Sequence, residues 1–523
     1  MRRVTRGPYL PIHSTLRART QSEHLTPCVQ TTAESQRIPQ FQSLETSARD
    51  ILELIASVRN QWRPVDRLPP DILRRIARCL LNKATKDTKP IVPLTQVCRQ
   101  WRESIISTPD IWALISSENN SLAALSLERS RTAPLKVHLG FRTENREFID
   151  LLLPRILDIG LLRIQGFSST EELIMLLPDF PLSTPNLRSL ILRGKSKGER
   201  NQAIDPFEPF GDSLRHLSIY HFPLFPSLLR LTSLTEFEIL DYRFKLPIDT
   251  LFNFLEENRS LETAILGVGF AKHSLRRSKL KAPIENRLRF LSIRCAYSVD
   301  GKALISGIAL QKGAHLDILS TGTDQKLSGV LSGISPKHFA NISSPTFMEC
   351  QSDCQSIRLL GPDGDFFFKC SHGPDDLFSK LPLLPFSLTS VREFRLVHRR
   401  PGKAPSPLEP LVFHPALLPS IEALAVNCET NVSYLLSELF SNPFCSPSLN
   451  TLAFLDCDIS EDFMRELGQF ASIRKVTAAM RLHRVVIGHS KGKLPSVASI
   501  GALGQHIPVV DVRMEKEFPR DLT

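Results

Sequence analysis

The chain has 523 residues, 42% of them hydrophobic, and a formal net charge of +11 at pH 7. This length exceeds the roughly 250–300 residues at which a single core stops growing, so several domains or an elongated repeat are expected. With a mean hydropathy of -0.08, no uninterrupted run of about 18 apolar residues and no apolar core in the N-terminal segment, the sequence predicts neither a membrane protein nor a secreted one.

Residues 1–40 are predicted to be a disordered basic tail. Residues 1–22 are rich in arginine and contain no acidic residue, a composition that a mitochondrial transit peptide shares. Elsewhere lysine and arginine occur in small scattered groups without interleaved aromatic residues, so we predict no nucleic-acid partner. The ten cysteines are also scattered, and several lie in apolar runs. That pattern fits free thiols in the cytoplasm or nucleus.

Residues 41–62 are predicted to form an amphipathic helix. Apolar residues recur there at alternating spacings of three and four: Phe41, Leu44, Ala48, Ile51, Ile55, Val58 and Trp62. This is heptad spacing, but it is shorter than the three to four full heptads expected of a stable coiled coil. We therefore expect the helix to pack onto the residues that follow it rather than onto a second copy of the chain.

Residues 63–118 are predicted to form three short helices. Pro69, Pro70 and Asp71 suit the first turn of a helix, because that turn has free N–H groups and favours negative charge. Apolar residues then form a stripe at helical spacing: Ile72, Leu73, Ile76 and Leu80. A second stripe begins at Pro93 and comprises Leu94, Val97, Cys98, Trp101 and Ile105, and a third short helix near Pro109 carries Ile111, Trp112 and Ile115. Helices this short cannot bury all their apolar surface on one another, so a docking face is expected.

This helical segment resembles an F-box, and its flanking segments are similar to those of large fungal, basidiomycete-like F-box families. The resemblance rests on the Leu-Pro-Pro-Asp opening at residue 68, the Cys-Arg-x-Trp-Arg centre at residue 98 and the Pro-x-Ile-Trp close at residue 109. It implies binding to the Skp adaptor of a cullin-RING ubiquitin ligase. The residues expected to make that contact are Leu68, Pro69, Ile72, Leu73, Ile76, Val97, Trp101, Ile111 and Trp112.

Two features depart from that family, and a simpler interpretation stays open. The linker at residues 82–89 is polar and long, and Ala77 stands where many members carry a large aromatic residue. The simpler interpretation is an ordinary helical cap whose leucine and tryptophan residues are core, since stripes at helical spacing are usually core.

Residues 119–515 are predicted to form an irregular leucine-rich-repeat solenoid with a parallel, curved sheet, so the fold class is α/β. Strand cassettes of the form Leu-x-x-Leu-x-Leu begin at Leu187, Leu214, Leu234, Leu261 and Leu288, and degenerate ones at Val391, Ile421 and Leu449. Consecutive starts within each group lie 20 to 30 residues apart, close to the period of leucine-rich repeats. One repeat cannot cover its own apolar face, so neighbours are expected to stack.

The regular spacing of the repeats is interrupted at residues 320–385, which we interpret as an insertion rich in glycine and proline. Within it, Phe366–Cys370 is predicted to be an edge or inserted strand. Residues 248–255 and 434–440 are predicted to be helices between strands, and a helix near Phe463 precedes a last strand at Val509–Arg513. Residues 516–523 are predicted to be a tail.

Three patterns suggest chemistry, and none is specific enough to predict it. Gly488-His489-Ser490-Lys491-Gly492 mimics a hydrolase nucleophile elbow, but His506 precedes Asp511, the reverse of the order that such enzymes use. Cysteines 350, 354 and 370 with His372 lack the tight Cys-x-x-Cys pairs of structural zinc sites. Gly361–Asp365 lacks the ligand series of a calcium loop and is predicted to be a turn.

The sequence thus predicts an adaptor, not an enzyme, with no cofactor and no metal. Its F-box would hold the Skp adaptor and the cullin ligase core, and its repeat region would hold an unidentified target protein. The main alternative is a repeat scaffold whose F-box no longer engages the ligase, and a less favoured one is a serine hydrolase that uses Ser490.

Overall fold

The structure is a computed structural model. It describes residues 33–61, 68–83, 88–140, 146–167, 185–195, 213–221, 230–246, 248–270, 284–285, 287–295, 298–320, 330, 334, 338–339, 342–351, 356–370, 387–398, 415–428, 432–457, 459–477, 480–488 and 495–513. Within these ranges, twelve α-helices and a 17-stranded, mostly parallel sheet make a mixed α/β protein. Of the tail predicted at 1–40, residues 1–32 lie outside the described residues, as does the tail predicted at 516–523, whereas residues 33–40 are helical and not disordered.

The N-terminal part of the chain is helical, as the apolar spacing predicts. The first five helices are α1 (Ala33–Gln61), α2 (Pro70–Lys83), α3 (Arg99–Ile106), α4 (Pro109–Trp112) and α5 (Asn120–Ser130). The second predicted helix is shorter than expected: Lys89–Ile91 and Pro93–Gln96 form 3-10 turns, and α3 begins only at Arg99. Cys98 has an extended backbone, so the 3-10 turn at Pro93–Gln96 and α3 do not join into one helix.

Helix α1 differs from the prediction in two ways. It begins at Ala33 rather than at residue 41. Its apolar side chains, such as Ile51 and Ile55, are exposed instead of packed on the residues that follow. The expected intramolecular packing of this helix is therefore not observed in the described part of the chain.

The strands are β1 (Leu114–Ser116), β2 (Leu135–Gly140), β3 (Ile159–Phe167), β4 (Ser189–Gly194), β5 (His216–Tyr220), β6 (Glu236–Leu246), β7 (Thr263–Phe270), β8 (Ile284–Glu285), β9 (Phe290–Cys295), β10 (Ile308–Ala309), β11 (Ala314–Ser320), β12 (Phe347–Gln351), β13 (Ser356–Gly361), β14 (Gly364–Cys370), β15 (Glu393–His398), β16 (Ala423–Cys428), β17 (Thr451–Leu455), β18 (Arg484–Gly488) and β19 (Val509–Arg513). The short pair β8 and β10 forms a separate two-stranded sheet. The other strands form the main sheet.

The main sheet follows chain order except at β12–β14. From β1 to β11 each strand pairs in parallel with its predecessor in that sheet. Next to β11 comes β14, then β13, then β12, and β15 to β19 continue in parallel from β12. Among these strands only β13 runs antiparallel, so the interruption predicted at 320–385 contains three strands, β12 to β14, that stand in reverse order in the sheet. Strand β14 begins at Gly364 and pairs on both sides, so it is not an edge strand.

The strand cassettes stack in register. The first inward residue of each strand forms one ladder, which runs through Leu190, Leu217, Phe237, Ala264, Leu291 and Leu316. The second forms a parallel ladder through Leu192, Ile219, Ile239, Leu266, Ile293 and Ile318. All these side chains are buried, and so is the leucine that precedes each strand, for example Leu187. Burial of these ladders is the main stabilising contribution, about 1.5–3 kcal/mol for each large side chain.

The remaining helices pack their apolar faces against the inward side of the sheet. They are α6 (Arg146–Leu152), α7 (Ile248–Glu257), α8 (Ser298–Gly307), α9 (Val432–Leu435), α10 (Ser437–Ser441), α11 (Glu461–Lys475) and α12 (Val497–Gly504). Phe254 of α7 lies 4.6 Å from Phe237 between ring centroids, and Phe463 of α11 lies 5.1 Å from Phe454. The helix predicted at 248–255 is confirmed, whereas the one predicted at 434–440 is divided into α9 and α10.

A buried arginine joins α11 to the loops beside it. Arg474 is 0% exposed, and its guanidinium donates hydrogen bonds to backbone carbonyl oxygens. The acceptors lie in Pro443, Ser446, Pro447, Leu449 and Met480, at 2.6 to 3.3 Å. Burial lowers the pKa of Arg474. The side chain thus satisfies several loop carbonyls that would otherwise be buried without a donor.

We expect Arg474→Met to lower the free energy of unfolding by about 3 kcal/mol or more, because each buried carbonyl left without a donor costs about 1–3 kcal/mol. Thermal denaturation followed by circular dichroism measures the effect. The matched control is Arg465→Met on the same helix, where the side chain is 69% exposed and the loss should stay within about 0.5 kcal/mol. Equal melting temperatures for the two variants would contradict a structural role for Arg474.

Candidate partner-binding surfaces

Helices α2, α3 and α4 share a small hydrophobic core, which we call the N-terminal cluster. Its buried members are Leu73, Ala77, Ile91, Trp101, Ile105, Ile111 and Trp112. The indole Nε1 of Trp112 donates a hydrogen bond to the carbonyl of Ile105 at 3.0 Å. Arg78 of α2 pairs with Asp110 of α4 at 2.8 Å. These contacts fix α4 against the two longer helices.

The N-terminal cluster is attached to α5 and through it to the sheet. Thr88 and Ser126 join their hydroxyl groups by a buried hydrogen bond of 2.9 Å. The guanidinium of Arg129 stacks over the ring of Trp112, 4.4 Å from its centroid. Asn119 caps α5 by accepting a hydrogen bond from the N–H of Leu122. The cluster therefore has a defined attachment to the start of the sheet.

Four of the nine predicted contact residues lie inside the N-terminal cluster. Leu73, Trp101, Ile111 and Trp112 are all buried, so they hold the cluster together and present no surface to a partner. Ala77 is also fully buried, so the position that departs from the F-box pattern is a core position in this chain. Sequence spacing shows that such residues share a helix face, but it cannot tell core from docking surface.

The other five predicted contact residues reach the surface. Pro69, Ile72 and Val97 are exposed, with Ile72 at 41% and Val97 at 50%, and Leu68 and Ile76 are half-buried. The side-chain amide of Gln100 donates a hydrogen bond to the carbonyl of Leu68 at 3.1 Å. That bond places the start of α3 beside the residues that precede α2. We call these five residues the N-terminal apolar surface.

A second candidate surface is the outward side of the sheet, opposite to the inward ladders. Strands β2 to β5 contain no acidic residue. Their outward positions, which alternate with the buried ladder positions, instead carry five basic or imidazole side chains: Lys136, His138, Arg163, Arg193 and His216. We call this region the basic sheet surface. The next strand, β6, begins with outward acidic residues, Glu236 and Glu238.

Two arginines dominate the basic sheet surface. Arg163 pairs across strands with Ile191, so it lies diagonally from Arg193 on the adjacent strand. The Nε atoms of both arginines are buried without a hydrogen-bond partner in the described part of the chain. Burial lowers the pKa of Arg163, and the positive charge of Arg193 lowers it further. Within the described residues neither arginine forms an ion pair with a carboxylate.

Tyr220 and Glu238 border these arginines. The guanidinium of Arg193 stacks 4.2 Å from the centroid of Tyr220, and Ser218 donates a hydrogen bond to Glu238 at 2.9 Å. Burial raises the pKa of Tyr220, as does its hydrogen bond with Glu238. The arrangement leaves two cations available beside an aromatic platform, which suits an anionic side chain of a partner. This surface was not predicted from the sequence, although alternation within each cassette marks its positions as outward.

At β16 to β18 the outward side of the sheet carries small apolar residues. Ala423, Ala425, Ala453 and Val486 form a separate buried cluster of small apolar residues. These strands pair in register. Their small side chains present no charged or aromatic group to a ligand.

The described residues include only part of the three patterns that suggest chemistry. Ser490 lies outside the described residues, and so do Cys354 and His372. Cys350 occupies the inward ladder of β12, where burial raises the pKa of its thiol well above the usual range. Pro362 and Asp363 form the turn between β13 and β14, which confirms the predicted turn at Gly361–Asp365.

The described residues show neither a candidate metal site nor a membrane-spanning helix. They contain no group of three or more histidine, cysteine, aspartate or glutamate side chains placed to hold a metal ion. No helix in the same part of the chain combines the length and apolar character needed to cross a membrane. Comparison of the sequence with family models gives no match, and comparison with curated proteins gives none either.

We expect Trp112→Ala to destabilise the N-terminal cluster by about 3–5 kcal/mol, as for other fully buried aromatic residues. The indole leaves a cavity and Arg129 loses its stacking partner. Hydrogen exchange of the amides in α2 and α3 should become faster. Val97→Ala is the control, because that side chain is half exposed and its loss should cost within about 0.5 kcal/mol. Unchanged exchange in the Trp112 variant would contradict the assigned core.

Proposed function

We propose that this protein is a substrate-recruiting adaptor of a Skp-cullin-F-box ubiquitin ligase. The observation that carries the proposal is the N-terminal apolar surface, where Ile72 and Val97 are exposed on helices that resemble an F-box in sequence. Isolated exposed apolar residues are ordinary. Here, however, they coincide with the Leu-Pro-Pro-Asp and Cys-Arg-x-Trp-Arg segments that carry the resemblance.

The sheet would supply the target-binding part of the adaptor. The in-register ladders, and the leucine that precedes each strand, support an irregular leucine-rich-repeat solenoid. In that arrangement the outward side of the strands is free for a target protein. The basic sheet surface, with Arg163 and Arg193 unpaired by described carboxylates, favours an acidic segment of the target. The target itself would be modified in the cytoplasm or nucleus.

The adaptor would act by proximity and would not need catalytic residues. The N-terminal apolar surface would hold the Skp adaptor and the cullin core, while the sheet would hold the target. Lysines of the target are thereby brought close to a charged ubiquitin-conjugating enzyme. Tethering raises the effective concentration of the two reactants, often to the millimolar range for flexible connections.

A second candidate is a repeat scaffold that no longer engages the ligase. The burial of Leu73, Trp101, Ile111 and Trp112 favours this candidate, because it leaves only five of the nine expected contact residues at the surface. A measurement of Skp binding distinguishes the adaptor from the scaffold.

We expect the tagged, intact protein to co-purify with the Skp adaptor and the variant Ile72→Asp, Val97→Asp to lose at least tenfold in affinity, about 1.4 kcal/mol. Both side chains are exposed, so the variant should keep its fold, which circular dichroism can verify. The matched control is Ile473→Asp, Val476→Asp, which changes two exposed apolar residues at the end of α11. It should bind normally. Absence of binding by the intact protein would leave the scaffold as the better account.

The charge of the basic sheet surface gives a separate prediction. We expect a fluorescein-labelled peptide of eight glutamates to bind the intact protein in fluorescence anisotropy, and more weakly at higher salt because exposed charges are screened. Arg163→Glu, Arg193→Glu should weaken this binding at least tenfold. The control Arg99→Glu, Arg102→Glu carries the same net charge on exposed positions of α3. Equal binding by the two variants would show that only net charge attracts the peptide.

A further inference from the structure

Helix α1 carries a long apolar stripe that the described part of the chain does not cover. Six large apolar side chains on it are between 48% and 66% exposed: Leu44, Ile51, Leu52, Leu54, Ile55 and Val58. The helix has 29 residues, which corresponds to about 43 Å at 1.5 Å per residue. Scattered apolar residues are common on surfaces, whereas a continuous stripe of this size usually marks an interaction site.

The spacing of the stripe indicates what kind of surface covers it. Leu44, Ala48, Ile51, Ile55 and Val58 alternate at steps of three and four, which is the spacing of helices that pack along one another. Such a stripe needs a partner helix of comparable length. Among the described helices the next longest is α11, with 15 residues, and its apolar residues are buried against the sheet. A second copy of α1 has the matching period, and its helical residues can lie along the stripe from Ala48 to Val58.

The flanking residues indicate the orientation of that second copy. A heptad has seven positions, a to g, of which a and d form the core and e and g flank it. With Ile51 at d and Ile55 at a, Leu52 falls at e and Leu54 at g. Two antiparallel helices pair e with e and g with g. A two-fold axis near Glu53 would then set Ile51 against Ile55 of the copy, Leu52 beside Leu52, and Leu54 beside Leu54.

A parallel pair fits less well. It would match g positions with e positions five residues further along the second helix. Leu52 would then lie beside Ser47 of the copy, which leaves a large apolar side chain against a polar one. Only the antiparallel arrangement covers both flanking leucines with apolar surface.

We infer that this protein forms an antiparallel homodimer through α1. The contact is isologous, as in most two-fold dimers, and with the axis near residue 53 the two copies of α1 lie alongside each other over residues 45–61, about 25 Å at 1.5 Å per residue. Each assembly would present two N-terminal clusters and two sheets. This inference does not depend on binding to a ubiquitin ligase.

The mass of the full chain in solution tests the dimer. Light scattering should give twice the chain mass of 58.8 kDa at tens of micromolar, and a single chain mass for Ile51→Glu, Ile55→Glu. The control Asp50→Lys, Glu53→Lys also replaces two side chains, but on the polar side of the helix, and should remain dimeric. A monomeric intact protein, or a dimeric Ile51→Glu, Ile55→Glu variant, overturns the inference.

Cysteine cross-linking tests the orientation. Leu54→Cys should form a disulfide-linked dimer under mild oxidation, because the two copies of residue 54 meet near the axis. Leu44→Cys should not, since its two copies would be about 27 Å apart along the helices at 1.5 Å per residue. Cross-linking of the Leu44 variant alone would indicate a parallel pair. A dimer in which neither variant cross-links would place the interface elsewhere, and both results overturn the antiparallel arrangement.

Discussion

The structure depends on one constraint, which is that no strand cassette can cover its own apolar face. Each contributes two inward side chains, such as Leu190 and Leu192, and one apolar residue before the strand. These are buried only when the next cassette supplies equivalent residues at the same height. The resulting ladders continue through the whole main sheet. Even the three strands in reverse order keep them, since Phe366 and Phe368 of β14 align with Leu316 and Ile318.

The same constraint divides the molecule into two chemically different sides. Helices such as α7 and α11 cover the inward ladders with aromatic contacts, while alternation along the strands puts polar and charged residues on the other side. At β2 to β5 that other side is basic, and Arg163 lies next to Arg193 without a described carboxylate to pair with. Two cations that no described carboxylate neutralises suit the acidic segment proposed for the target.

At the N-terminal end, helices use apolar residues for two purposes. In α2 to α4 the larger side chains, above all Trp112, are buried in the internal core. The apolar surface that remains exposed is small and centred on Ile72 and Val97. In α1 the apolar stripe from Leu44 to Val58 is exposed. No other described helix matches the length of α1. The two surfaces differ accordingly: the first is small and lies beside a packed core, and the second is a long apolar stripe with heptad spacing.

Local sequence pattern determined most of the elements, because helical and strand periodicities are read within a few residues. It located α1 and α2, the strands of the cassettes, and the parallel stacking of Leu217 on Leu190. It did not determine the exchange of order at β12 to β14 or the reversal of β13, since those pairings join residues far apart in the chain. Nor did it separate Leu73, which is core, from Ile72, which is exposed, because both belong to one stripe at helical spacing. Which of them meets solvent, and which charges are left unpaired on the sheet, was decided only when the elements packed together.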